Sequence, residues 1–173
     1  MTDQAHRQQE RTAIALLRKP QEQTKDTVLL VDDDAEIRKT VSDMLTRSGY
    51  SVLTAVDGGS ALQVLKGGIV IDLVIADYQM PEMDGLTLVR RIKEKMPDMP
   101  VVILTGHGNL ESYLCATGLG VIRYIGKPIG MRELLKTVRD AVADGLCHKV
   151  FAEARAEQTQ NDGSNAAVRN ARE

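Results

Sequence analysis

At 173 residues, 43 % of them hydrophobic, the chain can bury one core of ordinary domain size and still carry appendages. Its formal charge of -2 argues against a general binder of nucleic acid or anionic membrane, although a local patch would not show in the sum. With no Trp and one Phe the core must be aliphatic, and no apolar run is long enough for a signal peptide or a membrane span, so a soluble, cytoplasmic protein is expected.

Residues 1–25 read as a polar N-terminal extension, partly helical or disordered; "TAIALL", Thr12 to Leu17, suits one or two helical turns stopped by Pro20. From Thr27 the pattern turns regular. Strand-like runs "TVLLV", "YSVLTA", "DLVIA", "PVVIL" and "GVIRYI" start at Thr27, Tyr50, Asp72, Pro100 and Gly120. Helical segments separate them. The first places Ile37, Val41, Met44 and Leu45 on one face and ends on Gly49 as a C-cap. Another presents Leu86, Val89, Ile92 and Met96 and stops before Pro97, and a last one carries Leu134, Leu135, Val138 and Val142 along one stripe. Cys115 and Cys147 lack metal-ligand spacing and read as reduced thiols.

Strands alternating with helices of ten to fifteen residues indicate βα units and a parallel sheet, and near-continuous apolar strands fit a sheet covered on both faces. The expected fold is therefore α/β and doubly wound, with five units over roughly Thr27 to Leu146. Such sheets bind ligands beyond the carboxyl ends of their strands. Strand one ends at Asp32-Asp33-Asp34, strand three at Asp77, strand four at Thr105-Gly106, and strand five runs through Tyr124 into Lys127-Pro128. Each residue has a plain reading alone: Asp34 or Thr105 as a helix N-cap, Lys127 as a solvated loop lysine. Carboxylates, a hydroxyl and an ammonium at four strand ends of five make the plain readings jointly improbable.

"VLLVDDDAEIR", "DLVIADYQMPEMDG", "VVILTGHG" and "YIGKP" stand in an order and at intervals that resemble the receiver domain of bacterial response regulators. The likeness spans about Thr27 to Leu146 and implies a flavodoxin-like five-stranded sheet of order 2-1-3-4-5 within a receiver body at 26–147. "TGHG" looks like regulators of the nitrogen-regulatory activator type, although no ATPase or DNA-binding domain follows it in this sequence. The resemblance implies that Asp77 is the nucleophile and takes a phosphoryl group from a phosphohistidine kinase or a small donor. It implies Mg²⁺, or Mn²⁺, held by Asp33 and Asp77 directly, by Asp32 mostly through water, and by the backbone carbonyl of Gln79. A cation there would answer why the chain crowds Asp32, Asp33 and Asp34 at the end of an apolar strand, since like charges about 4 Å apart repel by about 4 kcal/mol at a protein surface.

Further implications are that Lys127 meets a phosphoryl oxygen, aimed inward by a cis Lys127-Pro128 peptide, and that Thr105 and Tyr124 form a hydroxyl–aromatic switch. Pro81 and Gly85 read as turn residues without a chemical role. His107 lies in a loop where it would tune phosphoryl lifetime or stay simply exposed; His6 and His148 look incidental. Gly106 and Gly126 stand where the family often has other residues, which implies mobile switch loops, and acidic residues frequent before the aromatic are missing.

Expected partners are a sensor histidine kinase or phosphotransfer protein and a downstream protein target; no nucleic acid or membrane contact is expected. Residues 148–173 read as a helix continuation to about Gln158 followed by a disordered stretch. Val138, Val142, Leu146 and Val150 recur every fourth residue, so a homodimer or docking arm and a frayed tail are both open. Two rivals stand beside this reading: a degenerate receiver that only binds partners, and a haloacid-dehalogenase-like phosphatase using Asp32-Asp33-Asp34 as its Asp-x-Asp motif. The second lacks a late acidic pair and has a short core.

Overall fold

A computed structural model describes residues 25–106, 118, 120, 121, 123–128 and 130–146. The expected features at Thr12–Leu17, His107, Cys115, Cys147 and the C-terminal tail lie outside them. Strands β1 (Thr27–Val31), β2 (Ser51–Ala55), β3 (Leu73–Asp77), β4 (Val101–Thr105) and β5 (Arg123–Gly126) form one sheet in the order β2-β1-β3-β4-β5. Every neighbouring pair is parallel. Helices α1 (Ala35–Arg47), α2 (Gly58–Lys66) and α3 (Gly85–Lys95) link the first four strands, and residues 131–146 form a closing helix.

Side chains alternate across each strand, so an apolar run feeds two layers at once. Leu29, Val31, Val74, Ala76, Val101 and Ile103 face one layer, which Leu86, Val89 and Ile92 of α3 cover. Val28, Leu30, Leu73, Ile75, Val102 and Leu104 face the other, under Val41 and Leu45 of α1 and Leu134 and Val138 of the closing helix. This is the doubly wound architecture that uninterrupted aliphatic strands require. Burial of each large aliphatic side chain stabilises the fold by about 1.5–3 kcal/mol before conformational entropy is charged against it.

Element ends follow local chemistry. Asp34 caps α1, its carboxylate accepting from the Glu36 and Ile37 amides. The helix ends at Arg47; Gly49 takes φ +99° just beyond, with its N–H on the Thr46 carbonyl and the Tyr50 N–H on Leu45. That paired pattern is a Schellman stop, for which a residue without Cβ suits the left-handed position. Helix α2 has no long apolar stripe in the sequence. It starts from a reciprocal pair instead: the Asp57 carboxylate accepts from the Ser60 N–H, and the Ser60 hydroxyl accepts from the Asp57 N–H.

Four strands begin later than their apolar runs suggest, β2 by one residue at Ser51. Asp72 pairs with the start of β1 instead of joining β3, its carboxylate accepting from the Thr27 N–H. Pro100 has no N–H to give to a ladder, although its carbonyl accepts from Val74. The largest difference is β5, which begins at Arg123 and not at Gly120, whose φ of +72° is incompatible with a strand.

Candidate functional site

The parallel order brings the carboxyl ends of β1, β3, β4 and β5 to one edge, where the chemistry collects. Asp32 follows β1 and is 1 % exposed. Its Oδ1 accepts from the Asp34 N–H at 2.9 Å and its Oδ2 from Lys127 Nζ at 2.6 Å, so both carboxylate oxygens are engaged. Asp33 is exposed. Asp77 closes β3, and its Oδ2 lies 3.3 Å from Lys127 Nζ. Its Oδ1 is buried and has no hydrogen-bond partner among the described residues.

One carboxylate oxygen from each of Asp32, Asp33 and Asp77 falls within 4.8 Å of the others. Burial pushes the Asp77 carboxyl above its ordinary range, the Lys127 ammonium pulls it down, and Asp32 pushes it up again. Three carboxylates against one ammonium leave a formal excess of two negative charges in this pocket.

Lys127 follows β5 with a largely buried side chain, its N–H donating to the Thr105 carbonyl and its bond to Pro128 cis. Thr105 is fully buried at the end of β4. Tyr124 lies half-buried on β5, opposite Ile103, with its phenol oxygen buried. Burial pushes that phenol up, while the neighbouring Thr105 side chain draws it down.

The segment after Asp77 is shaped by its main chain. The Tyr78 N–H donates to Leu104 at 2.8 Å, and the Gly85 N–H donates back to Tyr78 at 2.9 Å. Gln79 is exposed on this loop, which lines a shallow cavity with Tyr78, Met80, Pro81 and Asp84. Gly85 is not a turn residue: it opens α3, and a Cβ there would collide with the carbonyl oxygen of Asp77. Gly106 and Gly126 have open space where a Cβ would project.

Of the residues singled out in sequence, Asp32, Asp33, Asp77, Thr105, Tyr124 and Lys127 gather at this edge, with Gln79 on the adjoining loop. Two further contributors were not expected at the site. Gly85, a turn residue by its sequence, meets Asp77 only once α3 has packed. Arg38, whose Nη1 donates to the Asp32 carbonyl at 2.6 Å, carried the signal of lying one helical turn past the Asp34 cap. Helical side chains lean toward the N-terminus, so that position reaches back to the turn.

The donor set fits a hard divalent cation. Two oxygens on one Mg²⁺ stand at most about 4.2 Å apart, and three carboxylate oxygens within 4.8 Å of one another are close enough to share one such ion, directly or through its waters. Asp77 Oδ1 is a buried acceptor without a hydrogen-bond partner among the described residues, so the Asp77 carboxylate is not saturated by protein donors there.

A family model described as response regulator receiver domain matches residues 28–139. The transcriptional regulatory protein GlrR of Escherichia coli (strain K12) is 44 % identical over 115 residues, 66 % of this chain and 26 % of that protein. The DNA-binding transcriptional regulator NtrC of Klebsiella pneumoniae is 35 % identical over 114 residues, 66 % of this chain and 24 % of that protein. Among solved structures, NtrX from Brucella abortus in complex with ADP superposes with a TM-score of 0.71 at 30 % identity, over 76 % of this chain and 30 % of that one. A CheY-like receiver domain protein from Methanospirillum hungatei JF-1 gives 0.69 at 26 % identity, over 72 % of this chain and 99 % of that one. The chain thus spans about a quarter of the length of these two curated relatives.

Proposed function

The chain belongs to the response regulator receiver domain family, and from that premise we propose that it accepts a phosphoryl group on Asp77 in a reaction that needs a divalent cation. The observation carrying this reading is the asymmetry between two buried carboxylates. Asp32 has both oxygens engaged, whereas Asp77 keeps Oδ1 open. That asymmetry favours Asp77 as nucleophile and disfavours the haloacid-dehalogenase-like alternative, which would attack through the Asp32 cluster.

Asp77 Oδ1 forms the new bond to phosphorus as the donor's bond breaks, the electron pair leaving with the imidazole nitrogen of a phosphohistidine or the oxygen of a small acyl phosphate. Lys127, already beside Asp77 Oδ2, stands where it can pair with a phosphoryl oxygen as a point charge. Asp33, Asp77 and the Gln79 carbonyl would hold Mg²⁺ or Mn²⁺, with Asp32 acting through water. When bound, that cation withdraws charge from the transferring phosphoryl group and offsets the repulsion within the acidic cluster. Thr105, at the end of β4, would hydrogen-bond the acquired phosphoryl, and Tyr124 would report that movement to the surface.

The phosphoryl group then shifts an equilibrium between two states only through its different interactions with each. We assign this work to a receiver body at 26–147, with 1–25 and 148–173 as extensions. The partners are a sensor histidine kinase or phosphotransfer protein and a protein target downstream. The relatives named as transcriptional regulators are much longer, so output through a further domain of a longer protein belongs to the same reading.

Incubation with acetyl phosphate and Mg²⁺ tests it. The intact chain should gain the mass of one phosphoryl group, and Asp77→Asn should gain none. An Asp77→Asn chain that is still labelled, with Asp32→Asn silent, would transfer the role to Asp32. A well-folded parent that takes no label and no beryllofluoride would instead leave a receiver acting only as an interaction module.

A further inference from the structure

The last register pair of β1 with β2 is Val31 with Ala55, and the Asp32 N–H adds one more bond, to the Ala55 carbonyl. The Asp32 carbonyl lies beyond this ladder, and Arg38 Nη1 donates to it at 2.6 Å. Charge alone argues against such a placement. A fixed guanidinium beside a pocket for a divalent cation repels that cation, and this repulsion lowers the pocket's affinity.

The hydrogen bonds around the turn offer a reason for the arginine. Asp33 is exposed, so its placement follows from its neighbours on either side. Asp34 is pinned as the cap of α1, and its own N–H is held by Asp32 Oδ1. Asp32 is pinned through Oδ2 by Lys127 and through its carbonyl by Arg38. Arg38 therefore adds, beyond the Asp34 cap, a side-chain tie from the body of α1 to the Asp32 carbonyl.

We propose that Arg38 is a positioning residue for the divalent-cation pocket, fixing the 32–34 turn so that Asp33 is held within reach of Asp77. This rests on the reading that Asp32, Asp33 and Asp77 hold a cation. The two effects of Arg38 oppose each other, so the sign of a substitution discriminates between them. A residue that mattered only through its charge would, on removal, tighten cation binding. Loss of a positioning contact weakens it, because the carboxylates must then be ordered at the moment of binding.

Mn²⁺ is the probe, with the free ion counted by electron paramagnetic resonance in the full chain. Arg38→Met should weaken binding by about tenfold, and Arg38→Lys, which keeps a donor, should return to within about threefold of the parent. Lys39→Met removes the same charge from the adjacent exposed position and should leave affinity unchanged or slightly tighter. Arg38→Met binding Mn²⁺ as tightly as the parent, or more tightly, overturns the proposal.

Amide hydrogen exchange without metal supplies a second readout. The Asp32 and Asp34 amides, bonded to the Ala55 carbonyl and to Asp32 Oδ1, should exchange faster in Arg38→Met while the β3 amides are unchanged; unaltered exchange at both also overturns it. If the parent chain binds no Mn²⁺ at all, the cation reading fails, and the exchange measurement still decides whether Arg38 orders the turn. Arg38→Gln serves in both measurements should Arg38→Met not fold.

Discussion

Replacing Gly85 by Ala sets two physical effects against each other. Gly85 is the first residue of α3, where a better helix former would ordinarily help by a few tenths of a kcal/mol up to about 1 kcal/mol. The added Cβ would, however, collide with the Asp77 carbonyl oxygen and stand 3.1 Å from both the Asp77 carbonyl carbon and the Tyr78 Cα. All three are backbone atoms in a loop tied by the Tyr78 N–H to Leu104, so no side-chain rotation relieves the crowding. Overpacking of this kind costs about 1–3 kcal/mol. Pushing the start of α3 away from the segment after β3 also weakens the 2.9 Å bond from Gly85 to Tyr78, worth about 1 kcal/mol more. The net loss should be about 2–3 kcal/mol, which at a slope of about 2 kcal/mol per molar lowers the urea midpoint by about 1 M or more. Because the displaced atoms belong to Asp77, the acetyl phosphate labelling rate should fall in the same variant under conditions where it remains folded. An Ala variant at least as stable as the parent would refute the reasoning, since helix propensity would then have outweighed the clash.

Gly126 gives the opposite expectation. Its Cβ direction is open and its φ is not positive, so Gly126→Ala should be neutral or should stabilise by about 0.4–1 kcal/mol through the unfolded chain; a loss above 1 kcal/mol in urea unfolding would contradict this. The pH dependence of Asp77 is also open to measurement in the absence of divalent metal. Burial raises its pKa in the folded state above the ordinary 3.8, so the folded chain keeps that proton to higher pH than the unfolded one. Stability is then lost as pH rises from the ordinary value through the raised one. In EDTA, the stability of Asp77→Asn relative to the parent should therefore grow as pH rises through that window and then level off. A difference that is flat, or that shrinks with rising pH, would mean the carboxylate is not strained by burial.

The fold was legible because five largely aliphatic runs, each short enough for a strand and with β1, β3 and β4 buried on both faces, leave few alternatives to a doubly wound parallel sheet. The stripes on α1, α3 and the closing helix point inward because Val41, Leu45, Val89, Ile92, Leu134 and Val138 recur at helical spacing. Helix α2 was not traced from its residues, since "GGSALQVLK" opens on two glycines and signals its start through Asp57 and Ser60. The start of β5 was misplaced because apolar character continues through Val121 while the backbone at Gly120 turns left-handed.

Residue types and their intervals along the chain sufficed to locate acidic groups, a hydroxyl and a lysine at strand ends, because strand ends are local features and a parallel sheet gathers them at one edge. Local pattern carries no record of which oxygen remains open. Asp32 Oδ2 is engaged by Lys127, which is 95 residues away in sequence and 2.6 Å away in space, whereas Asp77 Oδ1 has no hydrogen-bond partner among the described residues. The roles of Arg38 and Gly85 are of the same kind. Each depends on the approach of a side chain, or the absence of one, to a backbone carbonyl on another element, and such proximities exist only after the layers have packed.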